Sequence, residues 1–211
     1  MYKLISATPS PYARKVRIAL IEKGIPFELQ TEVPWDNATR TPDYNPLEKL
    51  PVLIRADGDP IYESHLIMEY LERVHPAPAL VPQNDDDWLL AKRLEVLGDG
   101  VCDAFVLTFF ERMREASRRS AEWLARQRRK IDGGLREMER RIGDRAFFVG
   151  DGFTLGDIAA ATAFGYLCVR WSEIDWRSAY PNLAAHSERM EARPSFQNSR
   201  PVPQKISDKV V

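Results

Sequence analysis

Cysteine and histidine are scarce in this 211-residue sequence, and their scarcity excludes whole classes of chemistry. The two cysteines, Cys102 and Cys168, stand far apart, too few for a disulfide framework and in keeping with a reducing, cytoplasmic setting. The three histidines, His65, His75 and His186, form neither an HxxxH pair nor a Cys/His ligand spacing, so no metal centre is read from the sequence. No apolar run approaches the roughly 20 residues of a membrane-spanning helix. Lys3, Ser6, Thr8 and Pro9 interrupt the region where a signal peptide would carry its apolar stretch. A net charge of −1 gives no global attraction to nucleic acid or to an anionic membrane. Internal repeats and low-complexity stretches are also missing. What is there, 44% hydrophobic and 29% charged residues, reads as a soluble globular chain long enough for one large domain or two small ones.

The organisation changes character near residue 76. Before it, short apolar runs alternate with a one-helix length: a strand over 2–6, a helix over 11–23 ending at Gly24, and a strand over 27–33. After a loop come Val52-Leu53-Ile54-Arg55, a turn at Asp57-Gly58-Asp59 and a short strand at 60–62, which read as an antiparallel hairpin. Leu66, Ile67, Tyr70, Leu71 and Val74 then recur at helical spacing. The first three elements imply a parallel strand pair with a right-handed crossover. His75-Pro76-Ala77-Pro78-Ala79 cannot continue a helix, so 77–87 reads as a linker between a domain over 1–76 and an all-helical domain over 88–211. In the latter a long amphipathic helix runs from Trp88 to about Ser117, and an arginine-rich helix spans 121–142 with Gly133-Gly134 weakening its middle. A nearly all-apolar helix over 155–169 should be the buried centre. Acidic residues interleave with the arginines of the second helix, so its charge reads as a solvated face rather than a nucleic-acid surface.

Two local motifs are sharply defined. Ser10-Pro11-Tyr12-Ala13-Arg14 places a hydroxyl at the junction of the first strand and first helix, with Ser as N-cap and Pro at the first helical position. A helix N-terminus favours an anion, and a hydroxyl aimed into that field is a good donor to a thiolate, whose thiol must come from a ligand. Ser10 acting only as a cap is the alternative. Thr154-Leu155-Gly156-Asp157 is a capping box in its Asp variant, with Phe153 and Ile158 placed for a hydrophobic staple, and both charged and hydroxyl groups there read as structural.

Five pieces in order, Ser10-Pro11-Tyr12, Asn45-Pro46-Leu47-Glu48-Lys49-Leu50-Pro51-Val52-Leu53, Tyr62-Glu63-Ser64, the proline-rich linker and the capping box, resemble the cytosolic glutathione transferases over nearly the whole chain. Serine-type bacterial, tau-like and theta-like members are the most similar. The resemblance implies a thioredoxin-like N-terminal domain followed by an all-helical C-terminal domain. It implies glutathione as co-substrate, with no metal, and Ser10 as the catalytic donor to its sulfur; Thr8 and Tyr12 are alternative donors. It implies a cis Pro51 that turns the Leu50 backbone toward the ligand, where spacing alone would suggest an ordinary trans proline opening a strand. Glu63 and Ser64 are implied for the γ-glutamyl end and Lys49 for the glycyl carboxylate. Ser64 can serve as plain N-cap as well, and Lys49 as a plain surface lysine.

Where this sequence departs from the family, residues 34–40 (Pro-Trp-Asp-Asn-Ala-Thr-Arg) stand in place of the usual loop over the glutathione glycine, and Glu48 stands where many relatives carry Gly. An electrophile site is implied between the domains. Tyr12, Trp35, Phe105, Phe109, Arg112, Tyr166 and Trp171 are its candidate lining residues, with core packing as the competing role of each aromatic. The implied reaction is thiolate attack on a small hydrophobic electrophile, in a cytoplasmic homodimer without nucleic-acid or membrane partners. Other glutathione-dependent chemistry (isomerisation, dehalogenation, ether cleavage or peroxide reduction) and a non-catalytic binding role are the alternatives. Dithiol redox chemistry at the first helix is excluded, because Ser-Pro-Tyr-Ala holds no cysteine.

Overall fold

Apolar alternation and helix caps resolve the chain into four strands and nine helices in the computed structural model, which describes residues 1–211. In order these are β1 (Tyr2–Ser6), α1 (Pro11–Glu22), β2 (Phe27–Thr31), α2 (Thr41–Tyr44), β3 (Val52–Ile54), β4 (Pro60–Tyr62), α3 (Ser64–Val74), α4 (Asp85–Met113), α5 (Ala121–Ile142), α6 (Leu155–Arg170), α7 (Trp176–Ala179), α8 (Pro181–Glu191) and α9 (Pro194–Gln197), with a 3₁₀ turn at Ala116–Arg118. They divide into a first unit of Met1–Leu80 with Arg193–Val210 and a second of Val81–Ala192.

In the first unit the sheet order is β2-β1-β3-β4, with β1 and β2 parallel and the remaining pairs antiparallel. This is the thioredoxin-like β-α-β then β-β-α order. Leu4 and Ile5 on β1 are both fully buried, which requires cover on both faces of the sheet. Val16, Leu20, Ile67, Met68 and Leu71 on α1 and α3 fill the core with Val52 and Leu53. Gly24 ends α1 with φ +63°, the left-handed position anticipated for it. The Lys23 ammonium, its side chain fully buried, bonds Glu72 (2.7 Å) and the carbonyls of His75 and Pro78 (both 2.8 Å), so the proline-rich linker is held to this unit. Breaking a buried ion pair of this kind costs about 3–5 kcal/mol.

The chain's last residues depart from the expected boundary. The reading that placed 88–211 in one helical domain is corrected, because 193–210 packs with the first unit. Arg193 forms a two-bond fork on Glu22 (2.9 and 2.8 Å), and Ser195 Oγ donates to the same carboxylate. Arg14 donates to the Phe196 carbonyl (3.2 Å) with its guanidinium over the Phe196 ring, and Arg17 donates to the Asn198 carbonyl (2.9 Å). Arg14 is therefore a structural tether. The expected linker over 77–87 is also shorter, because Asn84 caps α4 by accepting the Asp87 N–H (2.9 Å) and makes residues 85–87 helical.

In the second unit α6 is the buried centre, as its apolar sequence requires: Leu155, Ile158, Ala160, Ala161, Phe164 and Leu167 are fully buried. It packs against α4 and α8. Gly98 meets Ala159 and Phe105 meets Tyr166, seven residues further along both helices, so α4 and α6 run parallel in register. Gly134 is the reason α5 closes on α4: a Cβ there would stand 2.4 Å from Val101 Cγ2, so the expected weak point in α5 is a close-packing point. The arginines of α5 pair along their own helix, Arg128 with Asp132 (2.9 Å) and Arg140 and Arg141 with Glu137 (2.8 and 2.6 Å). The capping box of α6 closes in both directions. Asp157, fully buried, accepts from Phe148 N–H (2.9 Å), Thr154 N–H (2.8 Å), Thr154 Oγ1 (3.0 Å) and His186 Nε2 (2.9 Å).

Candidate functional site

Strand register alone brings the sequence-predicted residues of the first unit to one end of the sheet. β1 ends at Ser6, and Ser10 follows after a turn closed by the Ser10 N–H on the Ala7 carbonyl (3.1 Å). On β3, Val52 is opposite Ile5, which sets Leu50 and Pro51 beside the end of β1. On β4, Tyr62 is opposite Val52, which sets Glu63 beside Pro51. The parallel β1–β2 pairing sends residues 32–40 out of the same end, where the Glu32 N–H donates to the Ser6 carbonyl (2.9 Å). Ser10, Leu50–Pro51, Glu63–Ser64 and the 34–40 loop are thus neighbours by topology.

Ser10 is the N-cap of α1 with extended backbone, and its Oγ accepts the Ala13 N–H (3.2 Å). Pro11 takes the first helical position. The cap bond uses an acceptor lone pair, so the hydroxyl hydrogen of Ser10 is available to a ligand in the positive field of a twelve-residue helix. The Thr8 hydroxyl is differently placed: it donates to the Val202 carbonyl (2.8 Å), which commits its one hydrogen. Tyr12 lies half-buried in the first turn of α1.

The segment before β3 is shaped by Asn45, whose Oδ1 accepts the Leu47 N–H (2.9 Å) and whose Nδ2 donates to the Lys49 carbonyl (2.8 Å). Glu48 takes the left-handed conformation, φ +55°, a region that Gly enters most readily. The Leu50–Pro51 bond is cis, and Lys49 is exposed. A second cis bond, Ala77–Pro78, lies in the linker.

Glu63, not Ser64, caps α3. Its φ is +76°, its Oε2 accepts the Leu66 N–H (3.2 Å), and Ser64, 2% exposed at the first helical position, donates its hydroxyl to Oε1 (3.4 Å). The plain N-cap reading of Ser64 is therefore corrected: a carboxylate one residue earlier reaches the helix N–H groups first. A non-glycine residue held at positive φ costs on the order of 1–3 kcal/mol and persists where surrounding structure enforces it.

In the second unit five of the predicted lining residues meet at the C-terminal ends of α4 and α6. Phe105 packs edge-on against Tyr166 (5.0 Å between ring centroids) and at a tilt against Trp171 (4.4 Å). Arg112 lies over Trp171 (4.4 Å). Arg170, which the sequence reading missed, lies over Phe109 (5.2 Å) and Tyr166 (5.8 Å). Its signal was present, since it follows Tyr166 by four residues on one helix face. Phe105, Tyr166 and Trp171 are almost wholly buried, whereas Phe109 is half-buried and Arg112 exposed. Burial pushes the Tyr166 phenol up to about 12 against the lowering pull of Arg170, so it remains a neutral donor at physiological pH. Cys102, 3% exposed, is a buried small side chain on α4. Tyr12 and Trp35 belong to the first unit, Trp35 being 45% exposed in the loop after β2.

A shallow hollow of about 410 Å³ lined by Met1, Tyr2, Arg55 and Tyr70 opens at the opposite end of β1 from Ser10, away from these groups. No helix is long and apolar enough to cross a membrane.

Comparisons with known proteins agree with this layout. The family model for the glutathione S-transferase N-terminal domain matches residues 9–74, and that for the C-terminal domain matches residues 121–189. The GST-like protein YibF of Escherichia coli, itself uncharacterized, is 36% identical over 94% of this chain and 98% of its own length. A glutathione S-transferase of Methylobacterium radiotolerans, solved in complex with glutathione sulfonate, is 64% identical with a TM-score of 0.98, covering 100% of this chain and 99% of that one. A glutathione S-transferase of Methylobacillus flagellatus, solved with glutathione bound, is 39% identical with a TM-score of 0.92 over 96% of this chain and 100% of that one.

Proposed function

The chain belongs to the glutathione S-transferase family, and we propose that it binds glutathione on the first unit, holds its thiol as thiolate and directs that thiolate at a small apolar electrophile. Ser10 donates its O–H to the sulfur, and the N-terminal field of α1 adds to the stabilisation of the anion. The Leu50 backbone pairs with the ligand in strand fashion beside cis Pro51. Glu63 takes the γ-glutamyl ammonium, the Ser64 N–H at the α3 N-terminus takes the γ-glutamyl carboxylate, with the Ser64 hydroxyl turning from Glu63 to join it, and Lys49 meets the glycyl carboxylate as a point charge. The thiol proton leaves to solvent, the sulfur forms its bond to the electrophilic carbon, and the leaving group departs with its electron pair. On the second unit the half-buried Phe109, with Arg112 and Arg170, is the surface offered to the electrophile, backed by the buried Phe105, Tyr166 and Trp171, so a flat apolar acceptor is favoured. A cytoplasmic homodimer completes the reading.

The observation that carries this reading is the Ser10 hydroxyl, whose hydrogen is uncommitted at a helix N-terminus while that of Thr8 is spent. Ultraviolet difference titration with glutathione across pH tests it. Thiolate absorbance is expected well below the ordinary thiol range of about 8.5. Glutathione bound only as thiol assigns the protein a binding role, and no binding rejects the reading. A monomeric mass at micromolar concentration rejects the dimer.

A further inference from the structure

Residues after α9 form no helix or strand, yet they are bonded along their length to the segments around Ser10. We propose that residues 200–208 are a strap that holds the 34–40 loop beside the Ser10 turn in the arrangement glutathione needs, with Asp36 and Asp208 as positioning residues. The inference rests on the glutathione reading of this site and adds to it a part of the chain that no motif pointed to.

The strap starts from a fixed end, because Arg14 and Arg17 hold the carbonyls of Phe196 and Asn198. Val202 then makes a two-way contact with Thr8: the Thr8 hydroxyl donates to its carbonyl (2.8 Å), and its N–H donates to the Thr8 carbonyl (3.4 Å). Two residues later Gln204 Nε2 donates to the Glu32 carbonyl (3.3 Å). Finally each of the two segments offers a carboxylate to the other's backbone. Asp36 Oδ1 accepts the N–H groups of Ser207 (2.8 Å) and Asp208 (3.4 Å), and Asp208 Oδ2 accepts the Asn37 N–H (2.6 Å). Hydrogen bonds to an ionised acceptor are the strong class, and here three of them converge on one short loop.

Bonds within the loop add to these. Within it the Asp36 N–H reaches the Val33 carbonyl (3.2 Å) and the Thr39 N–H reaches the Asp36 carbonyl (3.0 Å). Its far end is tied to Glu32, which accepts from Thr39 Oγ1 (3.3 Å) and the Arg40 N–H (3.4 Å). At the tip, Asp36 and Asn37 share three hydrogen bonds with the strap. If the loop samples other arrangements, apparent affinity falls by the fraction of time the competent one is populated, while the filled site reacts as before. The contacts at Asp36 and Asp208 accordingly act on glutathione binding, while the strap meets the Ser10 turn only through Thr8.

Three variants test this: truncation after Arg200, which keeps every contact of α9, Asp36→Ala and Asp208→Ala. Each is expected to weaken glutathione binding by calorimetry roughly tenfold and to raise KM for glutathione in step, and the two Asp variants, which leave the Thr8–Val202 contacts in place, are expected to keep kcat and the pKa of the bound thiol unchanged. Asp36→Ala added to the truncated chain is expected to do nothing further, since both remove one contact set. Asp36→Asn, which keeps an acceptor oxygen, is expected to recover most of the affinity. Amide exchange at residues 34–40 is expected to quicken in the truncated chain while β1 and β2 exchange as before. Unchanged affinity on truncation, or an Asp36→Ala effect of equal size with and without the strap, overturns the proposal and leaves the glutathione reading standing. Failure of the full-length chain to bind glutathione overturns both.

Discussion

Ser10 has two separable jobs, and substituting it twice pulls them apart. As N-cap it accepts the Ala13 N–H at 3.2 Å; as donor it supplies a hydrogen to the glutathione sulfur. Ser10→Ala removes both. Loss of the cap costs about 1 kcal/mol, which in a chain of this length lowers Tm by about 2–4 °C. Loss of a hydrogen bond to a charged acceptor costs about 1.5–3 kcal/mol, equivalent to a rise of about 1–2 units in the pKa of the bound thiol. Turnover near neutral pH should therefore fall about 10–100-fold, with glutathione affinity changed only a few-fold. Ser10→Gly keeps most of the capping preference, costing only a few tenths of a kcal/mol, yet it also lacks the hydroxyl. Its Tm is expected near wild type and its thiol pKa as high as that of Ser10→Ala. The assay is thiolate absorbance of the glutathione-saturated protein against pH, with thermal unfolding of the same samples. A bound-thiol pKa unmoved in both variants refutes the assignment and passes the donor role to Tyr12, since the Thr8 hydrogen is already given to Val202.

Other groups give equally direct expectations. Glu63→Gly relieves a backbone held at φ +76° while removing the carboxylate, so glutathione should dissociate about tenfold more readily with no loss of thermal stability; parallel losses of both would make the residue structural. Asp157→Ala strands four buried donors, from Phe148, from His186 and twice from Thr154, and is expected to cost at least about 3 kcal/mol in urea unfolding, with a loss below about 1 kcal/mol contradicting the network. Gly134→Ala should destabilise despite the better helix propensity, because the stiff Val101 side chain stands 2.4 Å from the new Cβ; adding Val101→Ala should recover the loss, and a stabilised single variant would reject the packing argument. Burial pushes the Glu22 carboxyl up, but the hydrogen bonds from Arg193 and Ser195 and the Arg193 charge together hold it below its usual range. Folding thus lowers this pKa, so the contribution is present above the unfolded value of about 4.3 and disappears as pH falls through the lowered one. Glu22→Gln should flatten the acid limb of the stability profile, and an unchanged limb would contradict the pairing.

Local chemistry explains which parts of the molecule were legible in advance. Ser10 before Pro11, Gly24 after α1 and the Thr154–Asp157 box mark helix ends through bonds between residues a few positions apart, and those ends fall where the structure has them. Helical spacing likewise marked Phe105, Phe109, Arg112 and Tyr166, which meet in one cluster because α4 and α6 run in register. The cap of α3 was misread for a reason of geometry: Glu63 must enter the left-handed region before its carboxylate can reach the Leu66 N–H, and nothing in its neighbours announces that.

By itself the sequence determined the four strands and the longer helices, since caps, periodicity and proline act over short chain distances. Tertiary structure alone decided that 193–210 returns to the first unit, that Gly134 is a contact point, and that Thr8 and Asp36 are engaged by residues 202–208. Those outcomes rest on pairs more than thirty, and mostly more than 170, positions apart, joined largely through backbone carbonyls and N–H groups that every residue type shares. Such pairings leave no mark in residue identity, and only the folded chain brings them together.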